Sequence, residues 1–296
     1  MGYAHPLYCD SFKEFGEPRE LPHCGGWVLV RPIPGTPYKD AMGCYPLFAC
    51  RNWEKLHEDM EHLGSDLVSL VLVTDPFSNV APSYLEQNFD LVKAFKTHYV
   101  ADLKYPLESF VTGICRYTAR KSLKAMDVEV CHQPATYLDD WMRLYNNLIS
   151  RHTITGINAF SYKSFEIQMN VPGMVMALGR CEGEIVGANL ILIRDGVAYG
   201  HLLALSKTGY KINAAYGILW KTFLYLSEQG VRYYDSGGTA GMNDDPQGGL
   251  AHFKRIWSND KRPVYLCGRV LDREKYDTLC QSNQIADTGY FPAYRM

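Results

Sequence analysis

The sequence predicts an α+β protein organised as two domains. A chain of 296 residues is long for one domain and comfortable for two. Segments with helical spacing of apolar residues alternate along it with short apolar segments that suit strands. From Asp127 onward the predicted order is β, α, α, β, β, β, α, β, α, β. Helices and strands are therefore expected within the same domain.

The first hundred residues predict four elements. Residues 26–31 form the most convincing strand, which is closed by two prolines. Residues 52–63 have helical spacing, and residues 67–73 are a continuous apolar run typical of a strand buried on both faces. Residues 84–96 are interpreted as another helix. This half shows an α/β pattern but few polar residues grouped for chemistry.

A basic helix is predicted over residues 109–126. Arg116, Arg120 and Lys124 recur at i, i+4 and i+8, so they form one cationic stripe along it. Two interpretations stay open, a solvated helix face and a ridge that contacts phosphate groups. A strand over residues 127–130 is predicted directly after this helix.

The pattern after residue 130 is regular. Predicted helices span residues 137–150, 161–169 and 214–229, and Gly230 suits the position after the last of them. Predicted strands span residues 174–178, 185–193, 199–206, 231–235 and 263–271, and the first two form a hairpin that turns at residues 181–184. A helix containing Phe253 and Lys254 precedes the last strand, and a short helix over residues 273–280 follows it.

The composition is that of an ordinary globular protein, with 47% hydrophobic and 21% charged residues. The formal net charge is −2 at pH 7. Broad, nonspecific binding of nucleic acid needs a strongly positive surface, so this balance argues against it and leaves room only for a local basic patch.

Nine cysteines are scattered along the chain without a C-x-x-C pair. The odd number and the irregular spacing argue against a disulfide framework and against a zinc knuckle. No charged segment followed by an apolar run opens the chain, and no apolar stretch reaches the roughly 18 to 20 residues of a membrane span. We therefore expect a cytoplasmic protein with reduced thiols and no bound metal.

The most informative residues lie in two blocks near the end of the chain. The first block, residues 233–238, is a strand that ends at Asp235 and a Gly-Gly turn. The second, residues 248–257, opens a helix that carries Phe253 beside Lys254. This arrangement can place a cation next to a reacting carbonyl. The alternatives are that Asp235 stabilises the turn and that Lys254 is an ordinary surface lysine.

These blocks carry a resemblance to a known family. The order of elements after Asp127 resembles the GNAT acyltransferase fold. Residues 115–130 look like the basic helix-to-strand segment that joins the halves of Fem-type aminoacyltransferases (FemAB- and FemX-like proteins). The Tyr-Asp-x-Gly-Gly and Gly-Leu-x-x-Phe-Lys blocks resemble the last conserved block of that family. The resemblance covers roughly residues 116–271.

The resemblance implies two GNAT-like domains, each a mixed, mostly antiparallel sheet flanked by helices. It implies a degenerate N-terminal domain over residues 1–108, a basic linking helix over residues 109–126 and an acyltransferase domain over residues 127–296. Fem-type enzymes join an aminoacyl group carried on tRNA to an amine, whereas related GNAT proteins use an acyl-CoA. We expect the first activity, on a small soluble amine and in biosynthesis, with the second as the alternative. A non-catalytic GNAT-derived binding module is the third possibility.

The resemblance also assigns roles to single residues. It implies that Lys254 stabilises the tetrahedral intermediate and that Phe253 packs beside the acceptor end of the tRNA. Arg255 and the stripe of Arg116, Arg120 and Lys124 are implied contacts to phosphate groups. The proton acceptor is less defined, and the hypotheses are Asp235 at the strand end and His201 in the strand that usually lines a GNAT cleft.

One loop discriminates between the two donors. A GNAT domain that binds CoA usually has a Q/R-x-x-G-x-G/A turn at the start of its long helix, where backbone N–H groups hold the pyrophosphate. Residues 207–217 correspond to this turn, with Lys211 at the basic position and the bulky Tyr216 where a small residue belongs. This departure favours aminoacyl-tRNA, although Lys207 and Lys211 remain able to hold a diphosphate loosely.

Overall fold

The computed structural model describes residues 2–64, 66–152, 154–241, 245–282 and 290–295. The chain divides into two compact units. One consists of residues 3–95 together with residues 263–296, and the other of residues 96–262. The domain limits at residues 108 and 126 stay a prediction.

Eleven strands lie within the described residues and are labelled β1 to β11 in chain order. They span Glu17–Leu21, Gly26–Pro32, Lys39–Gly43, Leu67–Val73, Leu91–Asp102, Asp127–Cys131, Met174–Cys181, Glu184–Arg194, Val197–Leu205, Tyr233–Asp235 and Asp260–Val270.

The helices in the same part of the chain are labelled α1 to α11. They span Pro6–Asp10, Leu56–Leu63, Pro82–Asn88, Leu107–Phe110, Gly113–Ala125, Leu138–His152, Tyr162–Gln168, Lys207–Lys211, Ala214–Glu228, Gly249–Arg255 and Arg273–Ser282. None of these described helices is both long and apolar enough to cross a membrane.

The first unit is built on the strand order β1-β2-β3-β4-β11. Neighbouring strands are antiparallel except β3 and β4, which are parallel. The apolar run of β4 is buried, as its composition predicts, and Leu56, Met60 and Leu63 of α2 bury the apolar face of that helix. Leu67, Leu70 and Leu72 of β4 belong with these three side chains to one hydrophobic core.

The second unit has the strand order β5-β10-β9-β8-β7-β6. Strand β10 runs parallel to β9, and the remaining pairs are antiparallel. Trp257 follows α10 and is fully buried, with its ring 5.7 Å from that of Phe223 on α9. The Phe223 ring in turn lies 4.9 Å from Tyr234 on β10. This aromatic chain holds α10 close to β10.

The predicted helix over residues 84–96 is wrong in its second half. Helix α3 ends at Asn88, Phe89 is extended, and β5 begins at Leu91. Aromatic and β-branched residues follow one another near the end of this segment, and its pairing with β10 buries Tyr99, Val100 and Ala101. Tertiary pairing therefore overrides the local helical spacing.

Three other segments also differ from the sequence expectations. Strands β1 and β3 have no counterpart among the predicted elements, because each is only five residues long and neither has a clear apolar alternation. The basic helix is divided into α4 and α5 at residues 111–112, where the Thr112 side chain accepts a hydrogen bond from the N–H of Cys115. The stripe of cations lies on α5.

Candidate active site

The pairing of β5 with β10 brings three polar residues to one face of the sheet. Asp235 lies directly opposite Val100 in the antiparallel register. Because opposite residues share a face and side chains alternate along a strand, Lys96 and His98 project from the face that carries Asp235. All three belong to the second unit and are buried, and Asp235 is only 2% exposed to solvent.

The Asp235 carboxylate is held through both of its oxygens. His98 Nδ1 lies 2.8 Å from Oδ2, and the Gly237 N–H donates to Oδ1 across 2.8 Å. An ionised carboxylate can only accept hydrogen bonds, so Nδ1 carries the hydrogen in this pair. The second ring nitrogen of a neutral His98 is then a hydrogen-bond acceptor.

Lys254 reaches the same place from α10. Its Nζ donates a hydrogen bond to the Gly238 carbonyl oxygen at 2.5 Å. Burial lowers the pKa of Lys254 to about 8; the negative charge of Asp235 opposes this shift, and the positive charge of Lys96 adds to it. The ammonium group is therefore poorly hydrated and can interact strongly with a neighbouring negative charge.

The Gly-Gly turn lies close to these side chains and favours glycine at both positions. Gly237 has a φ of +72°, in the region that favours glycine. A Cβ atom on Gly238 would lie 3.0 Å from the Lys96 Cβ and 3.4 Å from the His98 Cδ2. Lys96 Nζ also donates to the Thr239 hydroxyl oxygen across 3.3 Å. The backbone of the turn therefore lies next to the side chains of Lys96, His98 and Lys254.

The arrangement can serve acyl transfer. A desolvated ammonium group stabilises an oxyanion, and an imidazole held by a carboxylate can accept a proton. The sequence predicted Lys254 and Asp235 as site residues, and the structure brings these two together. The roles of both in catalysis stay predictions.

We expect Lys254 to titrate at about pH 8 in the folded protein. Its ordinary value is 10.5, so the unfolded chain binds more protons between these two values, and the stability of the fold should rise with pH there. NMR of ¹³C-lysine-labelled protein, assigned with Lys254→Arg, would measure the titration. In Lys254→Met the free energy of unfolding should rise less with pH over this range than it does in the wild type. A titration near 10.5 would contradict the burial of this amine.

His201 lies elsewhere on β9. Its Nε2 is 3.1 Å from the Gln168 Oε1, and its ring lies 5.8 Å from that of Phe160. Burial lowers the pKa of His201 to about 4, so the ring is neutral and a weak base at pH 7. Its assignment as proton acceptor stays a prediction, and the geometry gives it little support.

The predicted donor-binding residues of α10 have defined contacts. Phe253 packs edge-on against Tyr216, with ring centroids 5.4 Å apart, and belongs to the periphery of the core. An Arg255 Nη2 group donates a hydrogen bond to the Pro246 carbonyl oxygen. Residues 242–244 of the same loop lie outside the described residues. Both donor-binding roles remain untested.

The cationic stripe lies on α5 and faces solvent. Arg120 and Lys124 are exposed and Arg116 is half-buried. Helix α5 contains no acidic residue, and within the described residues these three cations form no ion pair. The stripe is therefore available to an anionic partner.

The segment that corresponds to the pyrophosphate turn is partly helical. Residues 207–211 form α8, with Lys207 and Lys211 exposed. A Cβ atom on Gly209 would lie 2.1 Å from the Val186 carbonyl oxygen, so this glycine allows close packing on β8. The Tyr216 ring packs between Phe253 and Trp257. With Lys211 at the basic position, Ala214 and Tyr216 occupy the two positions where the turn needs small residues, and only Ala214 is small.

Sequence reasoning missed Lys96 and His98. The sequence predicts a helix over residues 84–96 and no helix or strand over residues 97–102. The signal that could have found them is the alternation from Phe95 to Val100, in which Lys96 and His98 are two residues apart and so share a strand face. The contact of His98 with Asp235, across 137 residues of chain, is not visible in any local pattern.

Comparisons with known proteins give a match only at the level of structure. No family model and no curated protein matches the chain. The crystal structure of FemX is similar with a TM-score of 0.70 at 12% identity, over 92% of this chain and 93% of that chain. The C-terminal domain of a protein described as a lysylphosphatidylglycerol synthetase from Agrobacterium fabrum gives 0.66 at 12% identity, over 96% and 92%.

A third structure, L-PGS from Bacillus licheniformis, is similar with a TM-score of 0.62 at 15% identity, over 95% of this chain and 96% of that chain. These identities are low, and the similarity therefore concerns the fold. It confirms the predicted α+β fold class with a mixed, mostly antiparallel sheet flanked by helices, and the predicted resemblance to Fem-type proteins in fold.

Proposed function

We propose that this protein is an acyltransferase that forms an amide bond, moving an aminoacyl group from aminoacyl-tRNA to the amine of a small soluble acceptor. The observation that carries the proposal is the desolvated Lys254 ammonium group, held at the Gly237–Gly238 turn beside the Asp235–His98 pair. The fold shared with FemX supports the same reaction class. The alternative is an acyl-CoA-dependent N-acyltransferase.

The reaction needs three events at the carbonyl carbon of the donor. The amine nitrogen attacks that carbon and forms the new C–N bond, while the carbonyl oxygen becomes an oxyanion. The ammonium group of Lys254 donates a hydrogen bond to this oxygen, where it acts mainly on the transition state. Collapse of the intermediate breaks the C–O bond to the tRNA ribose, or the C–S bond of an acyl-CoA, and the amine proton ends on the leaving group.

Two observations favour tRNA as the donor carrier. The exposed stripe of Arg116, Arg120 and Lys124 has no acidic neighbour on its helix, in a chain whose net charge is −2. Such a local concentration of cations suits a phosphate backbone. The turn at the start of α9 lacks one of its two small residues, since Tyr216 occupies that position and its ring packs against Phe253 and Trp257.

The acceptor is proposed to be a small soluble amine. One similar structure is described as a lysylphosphatidylglycerol synthetase, so phosphatidylglycerol belongs among the acceptors to be tried. A lipid product would redirect the acceptor assignment and keep the acyltransferase class.

The decisive experiment is a transfer assay with two labelled donors in parallel, an aminoacyl-tRNA pool and acetyl-CoA. Each donor is offered a mixture of small amines and, separately, phosphatidylglycerol vesicles. Label that moves from tRNA to a soluble amide supports the proposal. Transfer from acetyl-CoA alone would establish the alternative, and transfer from neither would reject an acyltransferase with these donors.

The cationic stripe gives a prediction for tRNA binding. The double variant Arg120→Gln/Lys124→Gln should bind tRNA more weakly and reduce the slope of log K against log salt by about 2, because each lost phosphate contact removes about one. Fluorescence anisotropy with labelled tRNA at several salt concentrations measures both.

The matched control for the stripe is Lys13→Gln/Lys163→Gln, which removes the same charge from exposed positions on other segments. It should leave the salt slope close to that of the wild type. An equal loss in both double variants would show that net charge, and not the stripe, attracts the RNA.

A further inference from the structure

We propose that His98 is the catalytic residue that takes the proton from the attacking amine, and that Asp235 is the residue that positions it. This inference rests on the proposed function and identifies the base that the reaction needs. The sequence pointed instead to Asp235 or His201 for that task. The argument depends on how β5 and β10 hold the two side chains.

The His98 ring is oriented by one strong contact. Its Nδ1 lies 2.8 Å from the Asp235 Oδ2, and both side chains are almost fully buried. Asp235 cannot turn away, because its other oxygen accepts the Gly237 N–H. The pair therefore selects the tautomer in which Nδ1 carries the hydrogen and Nε2 carries the lone pair.

In this tautomer the lone pair on Nε2 can accept a proton. The described residues supply no hydrogen bond to this nitrogen, whereas His201 Nε2 already contacts Gln168. The ring also lies against the turn that receives Lys254, since Gly238 approaches the His98 Cδ2 and its carbonyl oxygen accepts from the Lys254 Nζ. A carbonyl group bound at this turn would lie near both the Lys254 ammonium group and the His98 ring.

The proton balance of the step is complete without a further reactant. His98 Nε2 takes a proton from the amine as its nitrogen bonds to the carbonyl carbon, which leaves an imidazolium stabilised by Asp235. When the intermediate collapses, the same proton passes from Nε2 to the departing ribose oxygen, or to the sulfur of an acyl-CoA. His98 returns to its neutral form after each transfer.

The test compares turnover in variants of His98 under the donor conditions that work for the wild type. His98→Asn keeps an amide donor near Asp235 but removes Nε2, and it should lower kcat about 10²- to 10⁴-fold with little change in KM. His98→Ala should be similarly slow and should recover activity when imidazole is added. His132→Ala, which alters an exposed histidine of the same unit, serves as the control and should retain wild-type kcat.

The positioning role of Asp235 has its own readout. An amide at this position can donate to Nδ1, so Asp235→Asn should shift His98 toward the tautomer protonated on Nε2, which ¹⁵N NMR of histidine-labelled protein detects. That variant should lose kcat without recovery by imidazole. A merely structural role would leave the tautomer unchanged.

The outcomes separate this proposal from the one on which it rests. A wild type that transfers from neither donor would remove the proposed function and this inference with it. If the wild type is active and the folded His98 variants keep a kcat within threefold of the wild-type value, the role of His98 is overturned. The proposed function would then still stand. A loss in His98→Ala that imidazole does not restore would also overturn the role of His98, since it would indicate a structural effect.

Discussion

Replacing Lys254 by methionine should lower kcat about 10²- to 10³-fold, the usual cost of removing one donor to an oxyanion. The side chain keeps its length and its packing but loses the ammonium group that lies at the Gly238 carbonyl. KM should change little if this charge acts mainly in the transition state. Steady-state kinetics with the working donor provides the measurement.

The stability of the same variant distinguishes a catalytic lysine from a structural one. Burial lowers the pKa of Lys254, so its charge at pH 7 is unfavourable to folding. Lys254→Met should therefore unfold at the same or higher denaturant concentration than the wild type. A less stable variant would indicate that the lysine supports the fold, and unchanged kcat in a folded variant would remove Lys254 from the reaction.

The matched control for Lys254 is Lys261→Met. Lys261 is exposed on β11, and the substitution makes the same chemical change outside the site. It should leave both kcat and stability close to wild type. Similar losses in both variants would assign the effect to net charge.

Replacing Asp40 by alanine should destabilise the fold by about 3–5 kcal/mol, the range for breaking a buried ion pair by removing one partner. Asp40 is fully buried and accepts hydrogen bonds from Arg31, Tyr294 and Arg295. Without the carboxylate, two guanidinium groups would face each other in a low-dielectric region. Denaturant unfolding followed by circular dichroism measures the loss.

The control for Asp40 is Asp66→Ala, which breaks an exposed contact to Arg19 with an oxygen–nitrogen distance of 3.0 Å. Exposed pairs contribute about 0–1 kcal/mol, so this variant should be close to wild type. Equal destabilisation by the two substitutions would contradict the importance of burial at Asp40.

Much of the fold follows from local patterns. The predicted strand over residues 67–73 coincides with β4, as expected for a short, mostly apolar run rich in valine and leucine. Helix α9 ends close to the predicted position, with Gly230 in the left-handed region just beyond it. The error at residues 89–96 arose because helical spacing there competes with pairing to a strand far along the chain.

By itself the sequence determined the order of the main elements after Asp127, the fold class and the two blocks that hold Asp235 and Lys254. These are local properties, since periodicity and turn residues report which side chains face a core. Only the tertiary structure decided that Lys96 and His98 join Asp235 and that burial lowers the pKa of Lys254. Strand pairing and desolvation both depend on neighbours distant in the chain, so no local pattern of residues contains them.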